Sequence, residues 1–544
     1  MARVHPSITL DSVDFAWPDG TAALSGVSGS FSSRRTGLIG RNGSGKTTLL
    51  RLIAGELIPA RGSIRRTGAV EWLRQDLPLA DSSVPEVLGI GPALEALRRI
   101  ERGDIDPALF DAVGDQWDLE ERAVRVLDEI GLPPDALHRR IGEVSGGESV
   151  LLGLARSRLA GAPITLLDEP TNNLDRGARV RLHSMIATWR GALIVVSHDR
   201  ELLEMLDETA ELRASRPGVG GTLTVVGGPL SAYEAHVAEE QAAAERGLRA
   251  AEQQLRAERR QLIETRERLD RRARNGRAAQ LRGDMPRIVA NGRRSAAQET
   301  SGRLRAEGEE KAALAAAAVE SAEERIRSDR SIRIDLPDAG VSARKRIADL
   351  PGADGPLLIV GPERIAITGP NGSGKSTLLS ALVNGGARAD AAAAGGRLHT
   401  DRVGYLPQRI RLDDSATVLD VVRRTAPDQP PGEVRAGLAR FLIRGEMAER
   451  PVSTLSGGQR FRVALAGLLL ADPPPQLLVL DEPTNSLDID SIDRLVDALR
   501  SYTGALLVVS HDEDVLERLG LGRRLEMTAR GLRETAPLSP GRTL

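Results

Sequence analysis

Cysteine is absent from this 544-residue chain. Its absence excludes disulfides, thiolate metal centres and thiol catalysis, and fits a reducing compartment. Aromatic residues make up only 2% of the sequence, so its cores must be built from Leu, Val, Ile and Ala. Nowhere do about 18 apolar residues run uninterrupted, the length a membrane-spanning helix needs. The start, "MARVHPSITLDSVDF", has no apolar core of the kind a signal peptide carries. A cytoplasmic location is expected, and any membrane function would need a partner to supply the membrane part. Lysine is scarce too: Lys46, Lys311, Lys345 and Lys375 are four of 74 basic residues, the rest being arginine.

What remains is an ordinary globular composition, 41% hydrophobic and 28% charged with a formal net charge of -2. The length exceeds the roughly 100–200 residues of a single domain, so two or more are expected.

The chain repeats itself. "GRNGSGKTTLL" (40–50) returns as "GPNGSGKSTLL" (369–379), "EVSGGE" (143–148) as "TLSGGQ" (454–459), "LLDEPTNNLD" (166–175) as "VLDEPTNSLD" (479–488), and "VVSHD" (195–199) as "VVSHD" (508–512). The order is the same in both halves, and the offset is 329 at the first motif (369 minus 40) and 313 at the last (511 minus 198). A duplicated domain with one length difference explains this. The first copy carries about 22 extra residues within "LGIGPALEALRRIERGDIDPALFDAVGDQ", whose Leu and Ala spacing predicts extra helix.

Each "GxxxxGK[ST]" follows a short apolar strand and opens an amphipathic helix, the context in which this motif binds phosphate. Gly40, Asn42, Gly43, Gly45 and Thr48 form the first loop with Lys46 and Thr47; Gly369, Asn371, Gly372, Gly374 and Thr377 form the second with Lys375 and Ser376. The glycines let backbone N–H groups face β- and γ-phosphates, and the helix N-terminus adds partial positive charge. In so arginine-biased a chain, lysine at both positions argues for a compact point charge that a planar guanidinium would not match. Thr47 and Ser376 offer a hydroxyl to Mg²⁺. "ITLLDEP" and "LLVLDEP" are buried strands ending in two acids: Asp168 and Asp481 suit a hard cation, and Glu169 and Glu482 suit a group that orients or activates water. His198 and His511 each end an apolar strand, placed to touch a γ-phosphate or the attacking water.

Together these motifs resemble ATP-binding cassette domains, and the resemblance covers both halves, about 430 residues. It implies an α/β fold of two P-loop NTPase cassettes. It adds Gln75 and Gln408 as further Mg²⁺-side residues, and head-to-tail pairing within one chain. Ser145, Gly146, Gly147 and Glu148 would then cap the nucleotide on Lys375, and Ser456, Gly457, Gly458 and Gln459 the one on Lys46. Both sites are expected to hydrolyse ATP. The family usually stacks adenine on an aromatic before the phosphate loop; Trp17 fits in the first copy, whereas 331–368 contains no Phe, Tyr or Trp, so weaker or less selective binding is expected there.

Between the copies, the composition shifts to Ala, Arg, Glu and Gln. Domains are expected at 1–230, 231–330 and 331–544. Leu248, Leu255, Leu262 and Leu269 recur every seven residues, and Val319 and Ile326 repeat that spacing on the return, which predicts a two-helix seam. Gly283, Pro286 and Gly292 predict the turn, with helices of about 35 to 40 residues, or roughly 50 to 60 Å. Around that turn, 271–294 holds eight arginines (Arg271, Arg272, Arg274, Arg277, Arg282, Arg287, Arg293, Arg294) against one acid, Asp284. Without this tip, 231–330 has 13 basic and 17 acidic residues, so the shaft is mildly acidic and the tip strongly basic. Like charges so concentrated are relieved by a polyanion, and arginine suits folded RNA through phosphate and shape.

Two cassettes with such a connector resemble the ABC-F translation factors. "GDMPRIVANGRRSAAQ" is similar to the tips of the actinobacterial antibiotic-resistance group, with Met285 and Pro286 among the residues expected to meet RNA. The resemblance implies an ATP- and Mg²⁺-dependent monomer whose tip approaches 23S rRNA and P-site tRNA in the ribosome. It further implies protection against macrolide, lincosamide or streptogramin drugs. A housekeeping translation factor and the ATPase subunit of an exporter are the alternatives.

Overall fold

The computed structural model describes residues 6–73, 82–172, 174–213, 221–281, 287–324, 336–385, 396–485 and 487–535. The chain divides into two compact units, one of Met1–Ser231 with Ile332–Leu544, the other of Ala232–Ser331.

The first unit holds the two cassettes, each built on a six-stranded sheet. In the first, the strands lie in the order Val70–Leu73, Ile164–Asp168, Ala192–Val196, Arg35–Ile39, Glu208–Arg213 and Thr222–Gly227. The first five are parallel and the last turns back antiparallel. Ile164–Asp168 and Ala192–Val196 are buried along their whole length and Arg35–Ile39 from Thr36 onward, the nearly continuous burial expected where helices cover both faces of a parallel sheet. The second cassette repeats this order with Val403–Leu406, Leu477–Asp481, Ala505–Val509, Arg364–Thr368, Arg523–Thr528 and Gly531–Thr535. A three-stranded antiparallel sheet accompanies each: Ala22–Phe31, Ile8–Ala16 and Arg61–Arg66 in one, and Leu357–Val360, Arg346–Leu350 and Arg397–Leu398 in the other.

Parallel strands with right-handed crossovers bring chemistry to their carboxyl ends. In each cassette the central strand runs into the phosphate loop, its neighbour ends before the histidine, and the next ends in the Asp-Glu pair. The topology thus gathers at one sheet edge groups more than 100 residues apart in sequence. The extra segment of the first cassette folds as helices Gly91–Glu101 and Pro107–Val113, packed through Ala96, Leu97, Leu109 and Val113.

The second unit is a pair of helices, Leu230–Leu281 and Arg287–Glu324. The first has 52 residues, longer than the seam alone predicts, and the second 38. At 1.5 Å per residue they measure roughly 78 and 57 Å. Leu269 and Ala315 are buried in the seam, and a Cβ on Gly308 would meet the Leu262 side chain at 2.8 Å, so small residues let the helices approach. Arg266–Glu309 at 2.5 Å and Arg305–Asp270 at 2.7 Å bridge them. Gly292, expected to help break the chain, lies inside the second helix. A single glycine costs a helix only about 1 kcal/mol, which a long helix absorbs. Gly283, Pro286 and Ile326 fall outside the described residues.

Candidate functional site

Both phosphate loops have the backbone their glycines permit. Gly43 and Gly45 have φ of 82° and 95°, Gly372 and Gly374 of 75° and 94°, left-handed values that only glycine adopts without strain. A Cβ on Gly45 would also sit 2.9 Å from the Ala23 carbonyl oxygen, so this position is closed to larger residues on two counts. Helices Lys46–Ala54 and Lys375–Asn384 start directly after them without a side-chain cap, leaving their first N–H groups directed at the loop. Lys46 is buried, and its Nζ donates to the Gly40 and Arg41 carbonyls at 2.6 and 3.2 Å. Lys375 does the same with Gly369 and Pro370, both at 2.8 Å. Burial lowers the pKa of each ammonium, while the carboxylates of Glu169, Asp488 and Asp168 (for Lys46) and Glu482, Asp175 and Asp481 (for Lys375) oppose that shift.

The Asp-Glu pairs are held beside these lysines. Burial raises Asp168 and Asp481 above the usual carboxylate range, opposed by hydrogen bonds from the Thr47 and Ser376 hydroxyls. Glu169 and Glu482 have φ of 49° and 48°, left-handed values unusual for a residue with a side chain. The neighbouring strand enforces them, since the Glu169 and Glu482 N–H groups donate to Val196 and Val509 carbonyls, each at 2.8 Å. Strain retained at the same place in both copies is what a functional constraint leaves behind. Burial pushes the Glu169 carboxyl up to about 8 and that of Glu482 to about 7.

His198 Nε2 lies 3.0 Å from Glu169 Oε1; His511 Nε2 is 3.4 Å from Glu482 Oε1 without forming a hydrogen bond to it. Burial, reinforced by the adjacent lysine, pushes His198 down to about 3 and His511 to about 4, so both rings are neutral at physiological pH. Asp481 Oδ1, Glu482 Oε1, His198 Nδ1 and His511 Nε2 are buried without hydrogen-bond partners. Buried polar atoms without partners are costly, and the three on Asp481, Glu482 and His511, all beside Lys375, fit a phosphate, a cation and its water.

The cassettes face each other head to tail. Asp488 Oδ2 accepts from the Asn42 N–H at 2.8 Å, and Asp175 Oδ2 from the Asn371 N–H at 3.4 Å. A Cβ on Gly458 would lie 3.4 Å from Asn42 Nδ2, which places the second signature motif against the first phosphate loop. Reciprocally, Ser145, Gly147 and Asp175 line a cavity of 640 Å³ with Gly369, Asn371 and His511. Asp175 and Asp488 were not singled out from the sequence. Their signal was present, because each closes the duplicated "LDEPTN" segment at the same offset of 313 (488 minus 175). Each also N-caps the next helix, Asp175 accepting from Ala178 and Asp488 from Ser491, both at 2.9 Å.

The side chains of Glu148 and Gln459 cap their own helices. Each bonds back to the Ser N–H in a capping box, Glu148 to Ser145 at 2.7 Å and Gln459 to Ser456 at 2.9 Å. The serine hydroxyls accept from the N–H three residues on. Capping satisfies these donors and leaves Gly146, Gly147, Gly457 and Gly458 to present theirs. Gly146 and Gly457 have no heavy atom within 4 Å of where a Cβ would stand, so both are open to an incoming group.

Trp17 sits in the turn after Ile8–Ala16, with Arg51 over its ring at 5.7 Å and Phe15 edge-on at 5.2 Å. In the second cassette, Pro351, Gly352 and Ala353 occupy the matching turn, tied to Leu532 by the Ala353 N–H at 2.8 Å. Gln408 is exposed just past Val403–Leu406. Gln75, Arg282, Met285 and Pro286 lie outside the described residues. Arg271, Arg272 and Arg274 are exposed on the first long helix, Arg277 continues it, and Arg287, Arg293 and Arg294 belong to the second.

Two composite sites, each joining one phosphate loop to the opposing signature motif, define a paired-cassette P-loop ATPase. The ABC transporter family model matches residues 24–172 and 359–485. The chain is 34% identical to the tylosin resistance ATP-binding protein TlrC of Streptomyces fradiae, over 94% of this chain and 95% of that one. It is 30% identical to ATP-binding cassette sub-family F member 3 of Homo sapiens, over 88% of this chain and 65% of that one. It belongs to the ABC-F family, and it is an ATP hydrolase. Among solved structures it resembles the archaeal ribosome recycling factor aABCE1 in complex with the stalk protein aP1, at a TM-score of 0.50 and 20% identity, covering 95% and 87% of the two chains. That likeness concerns the fold. Among the described residues no helix is long and apolar enough to cross a membrane.

Proposed function

We propose that this ATPase is a cytoplasmic ribosome-protection factor. ATP closes the cassettes, the closed form binds the 70S ribosome, and the arginine-rich tip meets 23S rRNA and the P-site tRNA near the peptidyl-transferase centre, dislodging a drug or repositioning the tRNA. Hydrolysis then releases the protein. The observation that carries this reading is the presence, in one chain, of two cassettes that face each other head to tail and a helical hairpin with eight arginines against one acid in 271–294. The Streptomyces relative, matched along almost its whole length, is named for resistance to tylosin, which favours the macrolide class here.

At the ATP sites, Thr47 with Asp168, and Ser376 with Asp481, would hold Mg²⁺. The donor set fits: hydroxyl and carboxylate oxygens are hard ligands, and Asp481 Oδ1 is buried and unpartnered. Mg²⁺ would supply neutralisation of the phosphate charge. The chain's own groups do the rest. Lys46 and Lys375 move from loop carbonyls to phosphate oxygens, and the capped signature helices point their glycine N–H groups at the γ-phosphate. Glu169 and Glu482 orient water and accept its proton, and neutral His198 and His511 donate or accept one hydrogen bond beside them.

The test is sedimentation. With Glu169→Gln and Glu482→Gln together, the protein in ATP should migrate with 70S ribosomes. Recovery only from the ribosome-free fraction contradicts the reading, and co-purification with a membrane protein instead would favour the exporter.

A further inference from the structure

The two ATP sites are not fastened alike. Arg200 Nη2 donates to both carboxylate oxygens of Asp493, at 3.1 and 3.0 Å. Arg518 Nη2 donates to the same carboxylate at 2.6 Å and Arg518 Nη1 to Asp514 Oδ2 at 3.1 Å, while Arg200 Nε lies 3.9 Å from Asp514 Oδ2. Two cations and two acids therefore alternate around a partly buried ring. Arg200 comes from the first cassette and the other three from the second.

Its position relative to the chemistry is specific. Arg200 opens helix Arg200–Glu204, two residues after His198, and Asp199 between them caps that helix by accepting from Leu202 at 3.1 Å. Asp493 lies on helix Ile489–Arg500, whose cap is Asp488, the residue that accepts from the Asn42 N–H. The ring thus joins the segment carrying His198 to the helix carrying Asp488, and these two groups face Lys46 from opposite cassettes.

The duplication supplies an internal control. At the offset of 313, the positions matching Arg200, Asp493, Arg518 and Asp514 are Glu513, Val180, Met205 and Glu201. Two acids and two apolar residues cannot form such a ring. Among the described residues the second site has instead the cross-cassette pair Arg176–Glu513 at 3.5 Å, in which Glu513 is shared with Arg524. In the pairs Arg41–Asp490, Arg176–Glu513, Arg200–Asp493 and Arg200–Asp514, the first cassette always supplies the cation.

We infer that Arg200 is a positioning residue for the first ATP site alone, holding His198 and Asp488 in register across the cassette interface through Asp493, Arg518 and Asp514. The inference rests on the head-to-tail sites described above. Guanidinium groups that share carboxylates in one network fix geometry better than an isolated surface pair, and coupling of this kind typically changes an equilibrium 5-fold or more.

The test isolates each site in the full-length chain. Glu482→Gln leaves the first site as the hydrolysing one, and Glu169→Gln leaves the second; Arg200→Gln is added to each, and kcat and KM for ATP are measured. Arg200→Gln should lower kcat about 5-fold in the Glu482→Gln protein with KM little changed, because Arg200 does not touch nucleotide. In the Glu169→Gln protein the change should stay within about 2-fold, and Arg200→Lys, keeping the charge, should recover part of the loss. Equal losses in both backgrounds, or none in the Glu482→Gln protein, overturn the inference. A Glu169→Gln/Glu482→Gln protein that still turns over ATP overturns the glutamate assignment itself, and with it the separation of the sites.

Discussion

Lys46→Ala is expected to weaken nucleotide binding at the first site by about 100-fold, and Lys375→Ala to do the same at the second, as loss of a charge-assisted contact in a buried site implies. Each lysine is 7% exposed, and its ammonium donates to two loop carbonyls, a pocket shaped for one compact donor head. The chain has 70 arginines, counting 74 basic residues less four lysines, yet uses lysine at both positions. Arginine should therefore restore little: a guanidinium is planar and wider, and its donors fork in fixed directions. Titration with a fluorescent ATP analogue checks this. A Lys46→Arg protein binding within about 3-fold of the unaltered chain would show that charge alone suffices.

Replacing Glu169 and Glu482 together by Gln should lower ATP turnover by about 1,000-fold while leaving binding nearly intact, the loss typical of a removed general base. Glutamine keeps size and hydrogen-bonding reach, so the strained backbone at φ 49° and 48° has no new reason to relax. The pH dependence follows from burial. A base must be ionised to accept a proton, and burial pushes Glu169 up to about 8 and Glu482 to about 7. Turnover should therefore rise with pH between about 6 and 8, and the rise should vanish in the double variant. His198 and His511, pushed down to about 3 and about 4, stay neutral throughout and add no step in that range. A profile falling with pH over this range would contradict the assignment.

Much of this architecture was legible because it is written twice. Strand, glycine loop and lysine, or strand and Asp-Glu, are local patterns with a physical reason for each residue, and repetition in register removes the ambiguity either copy has alone. What stayed hidden depends on tertiary context. The left-handed backbone of Glu169 and Glu482 is imposed by hydrogen bonds to Val196 and Val509, strands that arrive only when the sheet forms. The Asp175–Asn371 and Asp488–Asn42 contacts join residues 196 and 446 positions apart, across an interface that no local pattern announces. The capping boxes of Glu148 and Gln459 were legible locally, because S-x-x-E and S-x-x-Q are capping patterns. Gly292 shows the opposite, a breaker by type that the surrounding helix carries along.

The asymmetry of the copies is as informative as their likeness. Trp17 has no aromatic counterpart, and the Arg200 ring has none either. Both features belong to the site on Lys46.

In vitro translation challenged with a panel of peptidyl-transferase inhibitors, macrolides included, tests the central claim most directly. The full chain is compared with one lacking 281–292. The account predicts that the full chain restores translation against at least one drug, and that the shortened chain hydrolyses ATP yet restores none. Rescue that survives the deletion would contradict it.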